Sequence, residues 1–239
     1  MYNQLNLENV LFLDIETVPM FPTYADVPEN WRALWDKKAN TLKMEEEENP
    51  ASIYSRAGIY AEFGKIICIS VGFLKYADGK ETFRMKSFSG DDEQQLLSEF
   101  GDLLRKHFNR DIHRICGHNV KEFDIPYIAR RMIINGVHLP SMLDLAGKKP
   151  WEILHLDTME MWKFGDFKSY TSLVLLATAL GIPTPKDDID GSMVHSVYYQ
   201  EKNLARIVTY CQKDVLTVAQ ILKKFRNEPL INGANVMIS

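Results

Sequence analysis

The order of apolar segments predicts an α/β protein whose mixed sheet is covered by helices. Three observations carry this reading. A short apolar run, residues 9–14 (NVLFLD), has the length and content of a buried strand. Two β-branched stretches, 65–76 and 81–88, flank the turn signal Ala77-Asp78-Gly79-Lys80, which predicts a hairpin. From residue 91 onward, strand-like runs alternate with apolar stripes at helical spacing.

Each element has its own signal. Pro19, Pro22 and Pro28 break the pattern after the first strand. Trp31, Leu34 and Trp35 then share one side of a helix expected over 31–44, closed by the acidic run Glu45, Glu46, Glu47, Glu48 and by Pro50. Residues 19–63 read as a helical insertion between two strands of one domain, 1–239. Asp91 and Asp92 open a helix to about 108, with Leu96, Leu97, Phe100, Leu103 and Leu104 on one face. Residues 112–116 form the next strand. A helix over 123–135 follows, with Pro126 in its first turn and Gly136 at its end. A fifth strand is expected at 153–157. Helices are expected at 170–180, stopped by Gly181, and at 201–225.

The charge balance excludes few functions. Lys plus Arg number 28 and Asp plus Glu 32, a net charge of −4 across 239 residues. That is unlike a basic nucleic-acid coat, but it leaves room for an enzyme with a local groove. Residues 105–131 hold Arg105, Lys106, Arg110, Arg114, Lys121, Arg130 and Arg131 against Asp111, Glu122 and Asp124, so a basic cradle or a solvated face is expected there. The three cysteines, Cys68, Cys116 and Cys211, are widely spaced and predict neither a disulfide framework nor a zinc ribbon. The start, MYNQLNLENV, lacks the basic and apolar regions of a signal peptide, and no run approaches a membrane span. A cytoplasmic protein with no membrane partner is expected.

Three places carry chemistry. Asp14 and Glu16 lie at and just after the expected end of the first strand. Residues i and i+2 of an extended chain share a side, so the two carboxylates converge, and a hard divalent cation would relieve their repulsion. An acidic turn in solvent is the plainer reading. A D-x-D-x-T phosphatase scheme is a rival, with Thr17 in place, Glu16 out of place, and Lys186, Asp187 and Asp188 as the downstream partners. Asp124 opens the helix after Gly117-His118-Asn119-Val120-Lys121-Glu122-Phe123 and is equally a helix cap. On the last helix, Tyr210 and Asp214 are four residues apart and share a face flanking the apolar stripe Ile207, Cys211, Val215, Val218 and Leu222. His155, Asp157 and His195 read as structural residues, not metal ligands.

Taken in order, these places resemble the motifs of the DEDD superfamily of 3′–5′ exonucleases. D-x-E is met by Asp14 and Glu16, N-x(2–3)-(F/Y)-D by Asn119, Phe123 and Asp124, and Y-x(3)-D by Tyr210 and Asp214. The histidine subclass would need His where Thr209 stands, so the tyrosine subclass fits. Ser172-Leu173, Leu180-Gly181-Ile182-Pro183 and Asp190-Gly191 resemble the exonuclease domain of family-B DNA polymerases and its stand-alone relatives, as does the insertion with Trp31 and Trp35.

The resemblance implies a ribonuclease H-like fold with a mixed five-stranded sheet. It implies two divalent cations, Mg²⁺ or Mn²⁺, held by Asp14, Glu16, Asp124 and Asp214 about 3.5–4 Å apart. The reaction implied is release of nucleoside 5′-monophosphates from the 3′ end of single-stranded nucleic acid, DNA before RNA, with an unseen polymerase or repair partner possible. Tyr210 would orient the attacking water, since a phenol of pKa near 10 is a poor base at neutral pH. Asn119 would bind the terminal nucleotide, with Thr17, His118 and Lys121 as further substrate contacts, while Phe123 would pack beneath.

Overall fold

A computed structural model describes residues 4–166, 168, 170–183 and 189–239. Its centre is a six-stranded mixed sheet in the order β5-β4-β1-β2-β3-β6. β1 (Val10–Pro19), β2 (Gly64–Ala77) and β3 (Lys80–Ser89) form an antiparallel meander, and Asp78 and Gly79 supply the left-handed turn between the last two. β4 (Arg114–Gly117) runs parallel to β1, and β5 (Leu156–Asp157) parallel to β4. At the far edge β6 (Val236–Ile238) runs parallel to β3.

The helices are α1 (Glu29–Ala39), α2 (Glu93–His107), α3 (Asp124–Ile134), α4 (Thr158–Lys163), α5 (Leu173–Ala179), α6 (Val194–Tyr199) and α7 (Leu204–Phe225). The pleat of β1 sorts them onto two faces. Leu11, Leu13 and Ile15 point into a core with Leu96, Leu97 and Phe100 of α2 and Ile125 and Ile128 of α3. Val10 and Phe12 point the other way, against Val215, Val218, Ala219 and Leu222 of α7. Gly72 of β2 lets α7 lie this close: a Cβ there would come within 2.4 Å of the Phe83 ring and 3.0 Å of Val215. The 20–63 segment between β1 and β2 builds its own cluster around Trp35, which is fully buried among Val27, Ile53, Tyr54 and Ala57.

Several sequence expectations are corrected. The sheet has six strands, not five, because three C-terminal residues with no strong pattern add to an edge that β3 leaves open. β1 continues to Pro19 instead of ending at Asp14, so the carboxylates interrupt an apolar run without ending the strand. Of the expected strand 153–157 only Leu156 and Asp157 join the ladder. Helix ends shifted toward their caps: Ser172 accepts from Leu175 N–H at 3.3 Å, Asn203 accepts from Arg206 N–H at 3.2 Å, and α1 stops at Ala39. α4 and α6 are short and rich in aromatic, β-branched or polar residues, and tertiary packing forms them without a sequence signal.

Candidate active site

Asp14 and Glu16 continue the α7-facing side of β1 beyond Val10 and Phe12, so two carboxylates stand where the pattern calls for apolar side chains. They pair across β2 with Ser70 and Cys68, and the register slips by one residue just after Glu16. Asp14, Glu16 and Cys211 of α7 bring one ligand atom each within 4.8 Å of one another. The Cys211 thiol lies 3.3 Å from Asp14 Oδ2 and 3.4 Å from its carbonyl oxygen. The Cys68 thiol is a close neighbour as well.

The other two acids arrive from separate elements. Asp124 opens α3 and is 4 % exposed. The backbone N–H of Ile15, between the two acids of β1, lies near enough to pull the pKa of the Asp124 carboxylate down. Asp214 sits one turn after Tyr210 on α7, near enough for its charge to bear on the Tyr210 hydroxyl. The negative charges of Asp124 and Asp214 both bear on Asp14 and Glu16.

This crowding sets the electrostatics. Asp14 keeps an opening to solvent, but its carboxyl group is desolvated, which pushes its pKa well above the usual range; the charges of Glu16, Asp124 and Asp214 push the same way. Glu16 is raised for the same reasons, burial first and then Asp214. Burial raises Asp124 to about 7, with a further push from Asp157 and an opposing pull from its backbone hydrogen bonds. Burial and the neighbouring carboxylates hold the Tyr210 phenol far above its ordinary pKa. Among the described residues no ion pair involves Asp14, Glu16 or Asp124. The donors are carboxylate oxygens with one thiol beside them, a set suited to a hard divalent cation.

The turn after β4 is held from below. Gly117 allows it, since a Cβ there would lie 2.6 Å from Val120 and 2.9 Å from the Leu13 carbonyl. Asp157 was read as merely structural, and it acts as a clamp: it accepts from Asn119 N–H at 3.0 Å, Lys121 N–H at 3.1 Å, Met159 N–H at 3.0 Å and Glu160 N–H at 3.2 Å. It therefore fixes the turn and caps α4 together. Asn119 is left-handed at φ 67°, and its buried side-chain oxygen has no partner among the described residues.

The remaining expected contacts have specific neighbours. His118 has both ring nitrogens engaged internally, with Thr158 Oγ1 at 2.9 Å and the Thr171 carbonyl at 2.8 Å. Thr17 is hydrogen-bonded to the Tyr127 hydroxyl, which donates to the Gly58 carbonyl at 2.7 Å. Lys121 Nζ is 2.6 Å from Glu160. His155 bridges Ile115 N–H and the Met142 carbonyl, and His195 donates to the Pro22 carbonyl at 2.9 Å. Lys186, Asp187 and Asp188 lie outside the described residues. The expected basic cradle over 105–131 is not one surface. Arg131 is buried against Glu93, Arg105 and Lys106 turn to Asp102, and Arg114 bonds the Asp111 and His113 carbonyls. A charge count along sequence had pooled residues from different faces.

An antiparallel meander extended by parallel strands, with acids from β1, α3 and α7 gathered on it, has the character of a ribonuclease H-like nuclease. A family described as predicted 3′-5′ exonuclease related to the exonuclease domain of PolB matches residues 59–226, and the chain belongs to that family. The matched span includes Asn119, Asp124, Tyr210 and Asp214. Asp14 and Glu16 precede it and are joined to it by the fold. No curated protein matches the chain. Among the described residues no helix is long and apolar enough to cross a membrane.

Proposed function

We propose that the protein is a DEDD-type exonuclease of the tyrosine subclass. It would remove nucleoside 5′-monophosphates from the 3′ end of single-stranded nucleic acid, with DNA preferred to RNA. The observation that carries this reading is the convergence of Asp14, Glu16 and Asp124, all with raised pKa values and none in an ion pair among the described residues. Uncompensated buried charge is costly, and a protein keeps it where a ligand supplies the counter-charge.

Asp14, Glu16, Asp124 and Asp214 would hold two divalent cations, Mg²⁺ or Mn²⁺. These supply an activated water and charge neutralisation at the phosphate and the leaving 3′ oxygen. Burial and the neighbouring carboxylates favour the protonated Tyr210 phenol, so its hydroxyl would orient water and not act as a base. Asn119 offers an unpaired oxygen to the terminal nucleotide, and Asp157 fixes where that oxygen stands. Thr17, next to Glu16 in the chain, and Lys121 would be further substrate contacts. His118 holds the turn by its two internal bonds.

Incubation with 5′-labelled single-stranded DNA and RNA tests this. With Mn²⁺ a ladder shortens from the 3′ end, DNA faster than RNA, and EDTA stops it. Intact substrate, or shortening from the 5′ end, overturns the reading.

A further inference from the structure

A cavity of about 510 Å³ lies between the 119–122 turn and the 148–165 segment, with Asn119, Lys121, Lys148, Asp157, Met159 and Lys163 among its walls. It sits at the C-terminal ends of the parallel strands β4 and β5, where open α/β sheets receive ligands. It borders the turn that leads into α3 and Asp124: Asn119 lines it, and so does Asp157, whose charge bears on Asp124.

Its rim carries exposed rings that packing does not explain. Phe164 is 87 % exposed and is held at φ 43°, a left-handed conformation that bulky residues avoid. Its neighbours Lys163 and Gly165 line the cavity. Trp151 is 74 % exposed between Pro150 and Ile153, which line it too. Tyr170, 71 % exposed, has Lys163 Nζ 4.6 Å from its ring centre, and Lys149 Nζ is 5.3 Å from that of Trp151. Three of the nearby acids are engaged, Glu160 with Lys121, Glu152 with the Lys149 N–H and Asp157 with the turn, while Glu122 also lines the cavity. Lys148 and Lys163 enter no ion pair among the described residues. Rings alternating with ammonium groups beside an unpaired amide oxygen suit a chain that alternates flat bases with phosphates.

We propose that this rim is the track for the nucleotides just 5′ of the terminal one. Trp151, Phe164 and Tyr170 stack on bases, and Lys148 and Lys163 meet the intervening phosphates. The track rests on the exonuclease reading for its direction, but binding can be read without cleavage.

The test is fluorescence anisotropy of labelled single-stranded oligodeoxynucleotides of two to ten residues on the full chain, with Ca²⁺ in place of Mn²⁺. Steady-state hydrolysis of the same oligomers with Mn²⁺ runs alongside. Phe164→Ala and Trp151→Ala each weaken binding of the eight-residue oligomer by about 5- to 100-fold. They raise KM in parallel and leave kcat and dinucleotide turnover within about twofold. Phe164→Tyr restores affinity, which a purely structural role would not do. Unchanged affinity in both alanine variants overturns the track and assigns the rim to another partner, such as a protein. A wild type that binds the longer oligomers in a Trp151- and Phe164-dependent way without shortening them keeps the track and overturns the exonuclease reading. A wild type that neither binds nor cleaves overturns both.

Discussion

Two buried carboxylate sites on this sheet are matched in burial and opposite in design. Glu93 at the start of α2 is 7 % exposed, and Glu16 on β1 is 8 % exposed. Glu93 is fully provided for within the chain. It accepts from Ile66 N–H at 2.7 Å, Arg131 Nε at 2.9 Å and Asn135 Nδ2 at 2.9 Å, and a second Arg131 nitrogen completes a fork. Among the described residues Glu16 has other acids for neighbours and no ion pair, and burial and then their charges raise its pKa. The chain can neutralise a buried acid when the acid serves the fold. Where it does not, the counter-ion has to come from outside.

The comparison breaks most sharply at Asp14. Asp14→Ala lowers hydrolysis by about 10³-fold or more, the scale of several kcal/mol of lost charge stabilisation, and leaves the fold intact. Thermal melts and initial rates separate the two effects; near-normal rates would remove Asp14 from the site. Glu93→Ala has the opposite signature. It strands Arg131 in the interior and costs about 3–5 kcal/mol of stability, with normal kcat per folded molecule. Denaturant titration with active-site counting measures both.

A third expectation concerns pH and metal. Asp124 is raised to about 7, and Asp14 and Glu16 are raised as well, so the folded chain binds more protons than the unfolded one between about pH 4 and 7. The stability from those protons is present below about pH 4 and lost as pH rises through 7. The metal-free protein therefore melts lower at pH 8 than at pH 5. Mn²⁺ at about a hundred times its Kd restores about 2.7 kcal/mol at pH 8 and little at pH 5. Calorimetry at the two pH values decides it, and a Mn²⁺ increment of equal size at both would contradict the charge argument. The smallest effect is expected at Tyr210. Tyr210→Phe removes the hydroxyl beside Asp214 and lowers kcat roughly 10- to 100-fold with KM unchanged. An unaltered kcat would show that water is oriented by other groups.

The acids were legible in the sequence because each sits on an element with a strong signal of its own: a strand run, a glycine turn into a helix, and a long apolar stripe. The residues that hold them in place were not. Asp157 is expected in a strand and as a structural residue, but its role at the turn is not legible, because two of its four hydrogen bonds, from Asn119 N–H and Lys121 N–H, come from a segment that only folding brings to it. Cys211 read as one apolar position on the α7 stripe, although its place one residue after Tyr210 and three before Asp214 was a hint. The basic window allows a cradle or a solvated face, and neither describes Arg131, which belongs to the buried Glu93 site. Periodicity reports which side of an element is buried. It does not report what a polar group meets there.

The close seat of α7 on Gly72 has a bearing on how the molecule ages with heat. Tyr210, Cys211 and Asp214 ride on a helix whose next turns, Val215, Val218 and Leu222, are interlocked with the central strands. Tyr210 and Asp214 continue without a break into these packed turns, so they move with the core and not apart from it. Catalysis and cooperative melting then share one midpoint, and the protein gives no early loss of activity to warn of the collapse.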